Sequence, residues 1–453
     1  MRLMVVTAPE SGLKSRRAAG RRSRRDDDAV LDADPEILLE RFGRLPAGRL
    51  LLERLRGAPS AVYLVGGAVR DLILEIEPRE LDLVIETELD PLIELLGASG
   101  TLHDRFGTAN LELDGHSYDV ARARSETYSR PGALPTVAAA DLDEDLWRRD
   151  FTVNAIALGV WGPPRGELIA LYPALDDLRA RMIRVLHDGS FIDDPTRLFR
   201  LALYSSRLRF TIEPHTFELA RAAIAVGALE TVSGPRIGAE LRRLAAEPDP
   251  VSAVGALGPL GIDGALAAGF GLRDPEAARR ALELLPPDGN PATVVLAAAA
   301  IDVGTAELGR ALDEWAFERA QRDAIMAAAG RARPLAAALH GARTPSQVAA
   351  AVGGSGVETV ALAGAFGAAD AARRWLSDLR HVKLEIDGRD LLAAGVEAGP
   401  AVGEGLRAAL AAKLDGHADG RAAELEQALR AAAPRPSSLD ADAADDVDPG
   451  RDS

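Results

Sequence analysis

In LVGGAVRDLILEIEPRELDLVIE, residues 64–86, an apolar run breaks at a glycine pair, and a second apolar run carries Glu80 and Asp82 one residue apart. Side chains two apart on a strand share a face, so a strand here would put both acids into one small volume, with Leu81 and Leu83 on the other face. Like charges that close are costly unless a cation lies between them. A solvated strand edge would tolerate the pair, and a divalent-metal site would use it.

Gly66-Gly67 fall where AVYLV ends and AVRDLILEI begins. A strand–Gly–Gly–helix junction turns the backbone sharply; it is either a tight turn alone or an anion site made by N–H groups at a helix start. Followed by paired acids, it has the parts needed to bring a triphosphate and Mg²⁺ together for nucleotidyl transfer. In HSYDVARAR, Asp119 alternates with Tyr118 and Val120 and can reach the same side as Glu80 and Asp82 from a neighbouring strand. Three carboxylates suit two Mg²⁺ ions. In RRDFTVN, Arg148, Arg149, Asp150 and Asn154 form either a phosphate-and-ribose clamp or a surface ion-pair cluster. Asp194, Arg197 and Arg200 are spaced by three, which would place them near one helix face, either as helix-stabilising pairs or as paired acceptors and donors matching the edges of cytosine and adenine.

The elements that must position these residues follow from the patterning. DPEILLERFGRLPAGRLLLERL (34–55) has helical periodicity with a break. From 61 to about 160 strands and helices mix, and Asp114-Gly115 between alternating segments marks a hairpin. Beyond about 176 strand signals nearly vanish, and Ala/Leu/Arg helical segments run to about 433 without a fixed repeat.

Bulk properties narrow the function. With no cysteine there are no disulfides, thiolate metal sites or Cys nucleophile, and the seven scattered histidines make no metal cage. No run reaches the length of a membrane span, and the N-terminus lacks a secretory pattern, so the expected location is cytoplasmic and no membrane partner is expected. Net charge is −16 and pI about 5.0, against a protein that coats nucleic acid through a generally positive surface. Charge is uneven, however. LKSRRAAGRRSRR (13–25) has seven basic residues, residues 437–453 have six Asp against one Arg, and residues 179–209 hold seven Arg against three Asp. The two ends read as disordered tails; the arginine-rich stretch is a candidate RNA surface.

LVGGAVRD…ELDLVIE, YDVARARSETYSRPGALP, DEDLWRRDFTVNAIAL and DDPTRLFRLALYSSRLRF occur in this order and resemble the class II tRNA nucleotidyltransferases and related bacterial poly(A) polymerases of the DNA-polymerase-β-like superfamily, over about residues 60–245. A fainter similarity spans 384–406. The resemblance implies an α+β fold, with a small mixed-sheet nucleotidyltransferase head of five or so strands followed by all-helical neck, body and tail domains. The expected divisions are a disordered basic arm (1–33), an N-terminal helical segment (34–56), the head (57–178), a neck with the base-reading motif (179–248), a body (249–380), a tRNA-contacting tail (381–433) and a disordered acidic tail (434–453).

By the same resemblance Gly66, Gly67, Arg70 and Asp71 form the triphosphate and helix-anchoring set. Glu80, Asp82 and Asp119 are the catalytic metal ligands, Arg148, Arg149, Asp150 and Asn154 hold sugar and phosphates, and Asp194, Arg197 and Arg200 read the base. The implied reaction is template-independent addition of CCA, or of C or A alone, to the tRNA 3′ end from CTP and ATP with two Mg²⁺ ions and release of pyrophosphate. The alternatives are poly(A) addition to other RNAs and a catalytically silent tRNA-binding homologue. Two departures stand out: Glu80 replaces the family's usual Asp, and LYPALDDL (171–178) lacks the usual glycines of a springy link, which bears on whether both C and A are added. Oligomeric state is not set by these residues.

Overall fold

The computed structural model of the protein describes residues 3–7, 31, 33–103 and 107–433. Among these residues the strands are β1 (Leu3–Thr7), β2 (Val62–Val65), β3 (Asp82–Ile85), β4 (Ser99–His103), β5 (Thr108–Leu113), β6 (His116–Arg122), β7 (Arg124–Thr127), β8 (Thr136–Ala139), β9 (Ile156–Trp161), β10 (Glu167–Leu171), β11 (Met182–Ile183) and β12 (Thr211–Ile212). Eight of them form one mixed sheet in the order β1-β10-β9-β2-β3-β6-β5-β4. β2, β9 and β10 are apolar almost throughout and buried almost throughout, as strands covered on both faces are. β5 and β6 alternate buried and exposed residues, so one face meets the core and the other faces out.

Asp114 and Gly115 join β5 to β6 with φ of 47° and 82°, the doubly positive pair that a two-residue hairpin turn requires. β3 and β6 pair in parallel, with Asp82 opposite Asp119 and Leu83 opposite Val120. The helices Pro35–Arg44 and Pro46–Arg54, each opened by a proline that needs no N–H there, bury Leu38, Phe42, Leu51 and Leu55. Tyr118 on β6 donates its hydroxyl to Ala47 O at 2.8 Å and ties this pair to the sheet.

The contacts divide the described chain into two units, Met1–Arg273 with Ala299–Arg322, and Asp274–Ala298 with Asp323–Ser453. The first holds the sheet, the β7–β8 hairpin and the helices Arg197–Leu208, Pro214–Ala225 and Gly234–Ala245. The second is helical, with one core around Leu335, Val352, Val360 and Leu376 and another around Ile386, Leu391, Ala409 and Ala428. In the latter, Glu424 is buried and receives Lys413 Nζ at 2.6 Å. Among the described residues no single helix is long and apolar enough to cross a membrane.

Two expectations change. The sheet has eight strands rather than about five, and the arm expected to lack order over 1–33 begins with β1, which runs antiparallel to β10 from Leu3↔Leu171 to Thr7↔Glu167. The second has a plain cause: a short edge strand is defined by a partner some 160 residues away, which local composition does not record. The basic run 13–25 and the acidic tail 434–453 lie outside the described residues.

Candidate functional site

β2 delivers the chain into Gly66, whose φ of 67° lies in the region open to glycine, and the helix Gly67–Ile73 follows. A Cβ at Gly66 would stand 2.6 Å from Arg149 Nη1, so the glycine is also what lets this guanidinium approach the turn. The Gly66 N–H is not free for an anion, because it donates to Ile156 O on β9 at 2.8 Å. Arg70 and Asp71 on the short helix are buried.

Arg70 opens a continuous chain of polar contacts. Its Nε donates to Asp71 Oδ1 at 2.8 Å and its Nη1 to Asn154 Oδ1 at 2.6 Å. Asn154 Nδ2 donates to Asp150 Oδ1 at 3.0 Å, and Arg200 Nε donates to Asp150 Oδ2 at 2.7 Å. Burial would push the Asp150 carboxyl up, but Arg200, the Asn154 amide and Arg197 hold it below the usual carboxylate range. Asp150 in turn holds the Arg200 guanidinium charged, well above its ordinary value. Three stretches far apart in sequence are thereby locked together: the helix after Gly66, the RRDFTVN segment and the helix Arg197–Leu208.

Asp82 is half-buried and Asp119 and Glu80 are exposed. Burial raises the Asp82 carboxyl to about 6; Arg149 opposes that rise, while Asp119 and Glu80 add to it. Asn110 on β5 donates its Nδ2 to Asp119 Oδ1 at 2.8 Å. Glu80 does not share a strand face with Asp82, because β3 starts at Asp82 and Glu80 lies in the bend before it. The exposed residues Glu75–Glu77 and Arg79 just upstream offer nothing for a longer strand to bury.

Among the described residues no group of three acidic or histidine side chains converges into a metal cage. Two registered carboxylates with a third on a neighbouring bend still fit Mg²⁺, which takes hard oxygen donors and commonly needs only one or two carboxylates beside substrate phosphates and water. The mutual repulsion recorded at Asp82 is what a cation there would relieve.

Asp194 is likewise not on the helix with Arg197 and Arg200. It follows the short helix Ser190–Asp193, in extended conformation, and its Oδ1 receives Thr196 N at 3.1 Å, Thr196 Oγ1 at 2.7 Å and Arg236 Nη2 at 2.7 Å. Pro195 between them disfavours a helical conformation at Asp194. Arg197 is buried and donates to Ser190 Oγ at 2.8 Å and to the Arg148 carbonyl at 2.7 Å. The 171–178 segment holds no glycine and forms the helix Ala174–Arg179, with Asp177 bonded to Thr152 Oγ1 at 2.7 Å and to Arg184.

A cleft of about 770 Å³ takes in Gly67, Arg70, Asp71, Glu80, Asp82, Arg148, Arg149, Asp150, Asn154, Asp194, Arg197 and Arg200. Asp119 borders an adjoining hollow of about 500 Å³ that shares Asp82, Arg148 and Arg149 with the cleft. Gly66 lines neither. Nine arginines and eight acids line the cleft, so it is close to neutral within a strongly acidic chain, and a polyanion accompanied by cations can enter it.

Four further residues belong here. Tyr204 has the guanidinium groups of Arg70, Arg200 and Arg207 at 5.3, 5.8 and 5.8 Å from its ring centre. Its place four after Arg200 and seven after Arg197 was a helical-face signal in the sequence. Asp145, three and four residues before the paired arginines, carried the same signal. Arg236 carried none, since it acts across a separation of 42 residues, and the bond of Glu126 to Arg148 spans 22.

A mixed sheet sets two carboxylates side by side on parallel strands, next to a strand–Gly–Gly–helix turn and a row of arginines, an arrangement that suits nucleotidyl transfer. Residues 62–184 match the Poly A polymerase head domain. The chain is 40% identical over 206 residues to an A-adding tRNA nucleotidyltransferase of Geobacter sulfurreducens, covering 44% of this chain and 23% of the relative. It is also 40% identical over 204 residues to a CC-adding tRNA nucleotidyltransferase of Deinococcus radiodurans, covering 44% and 54%. These matches therefore span less than two thirds of either relative. The structure of a Thermotoga maritima CCA-adding enzyme complexed with tRNA aligns over 88% of this chain and 98% of its own, with a TM-score of 0.72 and 27% identity. The α+β architecture, sheet first and helices after, is shared with these enzymes.

Proposed function

We propose that the protein is a template-independent tRNA nucleotidyltransferase, extending the 3′ end by C, A or CCA from CTP and ATP and releasing pyrophosphate. The observation that carries this reading is the placement of Asp82 opposite Asp119 beside a cleft in which one polar chain fixes Arg70 and Arg200 and Asp145 fixes Arg148 and Arg149. Relatives with A-adding and CC-adding names, and similar solved structures of CCA-adding enzymes with CTP and with ATP, support it.

Asp82 and Asp119, joined by Glu80, would hold two Mg²⁺ ions, which when bound lower the pKa of the attacking 3′-hydroxyl and neutralise charge on the leaving pyrophosphate. The protein's own share is to bind and orient. Gly66, Gly67, Arg70 and Asp71 shape the turn beside the triphosphate, and the segment of Arg148, Arg149, Asp150 and Asn154 serves phosphates and sugar, with Arg148 bracing the segment rather than touching the nucleotide. Asp194 keeps Oδ2 clear of hydrogen bonds among the described residues, and that oxygen suits the amino group shared by cytosine and adenine. Arg197 supplies donors from the buried wall and Arg200 braces Asp150. We assign residues 179–248 to a neck and 381–433 to a tRNA-contacting tail, and place the enzyme in the cytoplasm with its tRNA.

Poly(A) addition to other RNAs is the second reading, favoured by the name of the matching head domain. Incorporation of labelled nucleotide into tRNA lacking its 3′ end, with and without chelator, tests the first reading. An unrelated oligonucleotide extended equally well would favour the second.

A further inference from the structure

Arg148 and Arg149 are neighbours in sequence but differ in what they have left to give. Arg148 spends Nε and Nη2 on Asp145 Oδ1, at 2.9 and 2.7 Å, and Nη1 on Glu126 Oε1 at 3.0 Å. Glu126 lies on β7 and also receives the Tyr128 hydroxyl at 2.9 Å, so Arg148 is a strut between the RRDFTVN segment and the β7–β8 hairpin. Arg149 makes one hydrogen bond, from Nη2 to Asp145 Oδ2 at 2.9 Å. Its Nε is buried without a partner among the described residues, and its Nη1 lies over Gly66.

Both guanidinium groups depend on Asp145, which is wholly buried at the end of the helix Leu142–Trp147 and also accepts the Arg124 amide at 3.4 Å. Burial alone would push this carboxyl up, but Arg149 and Arg148 hold it below the usual carboxylate range, so it keeps its charge. A carboxylate that grips one edge of a guanidinium fixes the direction of the other. Fixing it before the substrate arrives removes ordering cost from binding.

We propose that Asp145 is a positioning residue for nucleotide binding: it aims Arg149 at the triphosphate beside Gly66 and holds Arg148 as the strut to the hairpin. This rests on the nucleotidyltransferase reading above. The two arginines thus divide their work, with Arg149 touching phosphate and Arg148 touching protein.

Equilibrium binding of ATP without turnover is the direct measurement, accompanied by KM and kcat on a tRNA ending in CC and by melting temperature. Asp145→Asn is expected to weaken ATP binding and raise KM at least about tenfold, the size of losing one charge-assisted phosphate contact, with kcat changed much less. Arg149→Met should weaken binding more than Arg148→Met does, and Asp145→Asn in the Arg149→Met background should cost little more. A role in folding alone would lower the melting temperature and leave the KM of the folded enzyme unmoved. ATP binding by Asp145→Asn equal to wild type, or Arg148→Met costing more than Arg149→Met, overturns the proposal. If Asp145→Asn does not fold, Asp145→Leu/Arg149→Met removes both charges together; its ATP affinity should equal that of Arg149→Met, and a much weaker one overturns the proposal. Wild type that binds neither ATP nor CTP overturns the functional reading and this inference with it; wild type that binds CTP alone moves every comparison above to CTP and a tRNA lacking its C residues, and wild type that binds while Asp145→Asn binds equally overturns this inference alone.

Discussion

Burial and two neighbouring acids oppose the charge of Asp82, and their effect is measurable without any substrate. Its carboxyl is raised to about 6 in the folded protein, from an ordinary 3.8. A raised carboxylate means that the folded state binds the proton more tightly than the unfolded chain, so stability without metal falls as pH climbs from about 4 to about 6 and stays lower above that. Asp82→Asn should therefore melt higher than wild type in chelator at pH 7.5, by roughly 1–2 kcal/mol, with the advantage vanishing toward pH 4. Thermal melts of both proteins across that range check it. An unchanged difference at every pH would mean that the effect is not at this carboxyl.

Residue types in the site were legible because their chemistry is paired: acid with acid, arginine with arginine, glycine with glycine. What stayed hidden was which partner each group uses. Asp194 and Arg197 invited a direct pair at i, i+3, yet Asp194 bonds Arg236, 42 residues on, and Arg197 bonds Ser190 and the Arg148 carbonyl. Asp194→Asn turns part of a carboxylate edge into a donor, so discrimination for CTP and ATP over UTP and GTP should fall by about 1–3 kcal/mol. Incorporation of all four nucleotides by wild type and variant measures this. Preserved selectivity would place base reading elsewhere in the cleft.

Strands and turns followed local pattern wherever the pattern was local. The Asp114-Gly115 hairpin, the β2-to-helix glycine turn and the buried runs of β9 and β10 are all encoded within a few residues. Glu80 shows the limit: alternation suggested one strand face, but the strand begins two residues later, after a stretch in which Glu75–Glu77, Arg79 and Glu80 are exposed. β1 shows it again, since an edge strand of five residues owes its existence to β10. Deleting residues 1–10 should lower the melting temperature by a few degrees, because one ladder is lost and the β10 edge is exposed, while nucleotide incorporation persists. Loss of incorporation with an unchanged melting temperature would assign this segment a role in the reaction rather than in the sheet.

An acidic chain proposed to act on RNA must confine its positive charge. Net charge is −16, yet the cleft holds nine arginines, most of them paired with an acid that keeps them in place. Such a cleft does not attract nucleic acid at long range, and it suits a triphosphate and a strand end that arrive with their cations. The match to the head domain covers residues 62–184, and the chain, sheet first and helices after, shares its architecture with a solved CCA-adding enzyme. The central claim is that Asp82 and Asp119 make this head a nucleotidyltransferase acting on tRNA ends. Its most direct test is incorporation of labelled CTP and ATP into tRNAs ending before the first C, after C and after CC, with Mg²⁺, by wild type and by Asp82→Ala and Asp119→Ala. Wild type should add at least one of the two nucleotides to at least one of these ends and release pyrophosphate, while each variant keeps its fold and loses at least about 100-fold in rate, as expected when a metal-binding carboxylate is removed. Incorporation by Asp82→Ala at the wild-type rate, or none by wild type on any of the three ends, would contradict it.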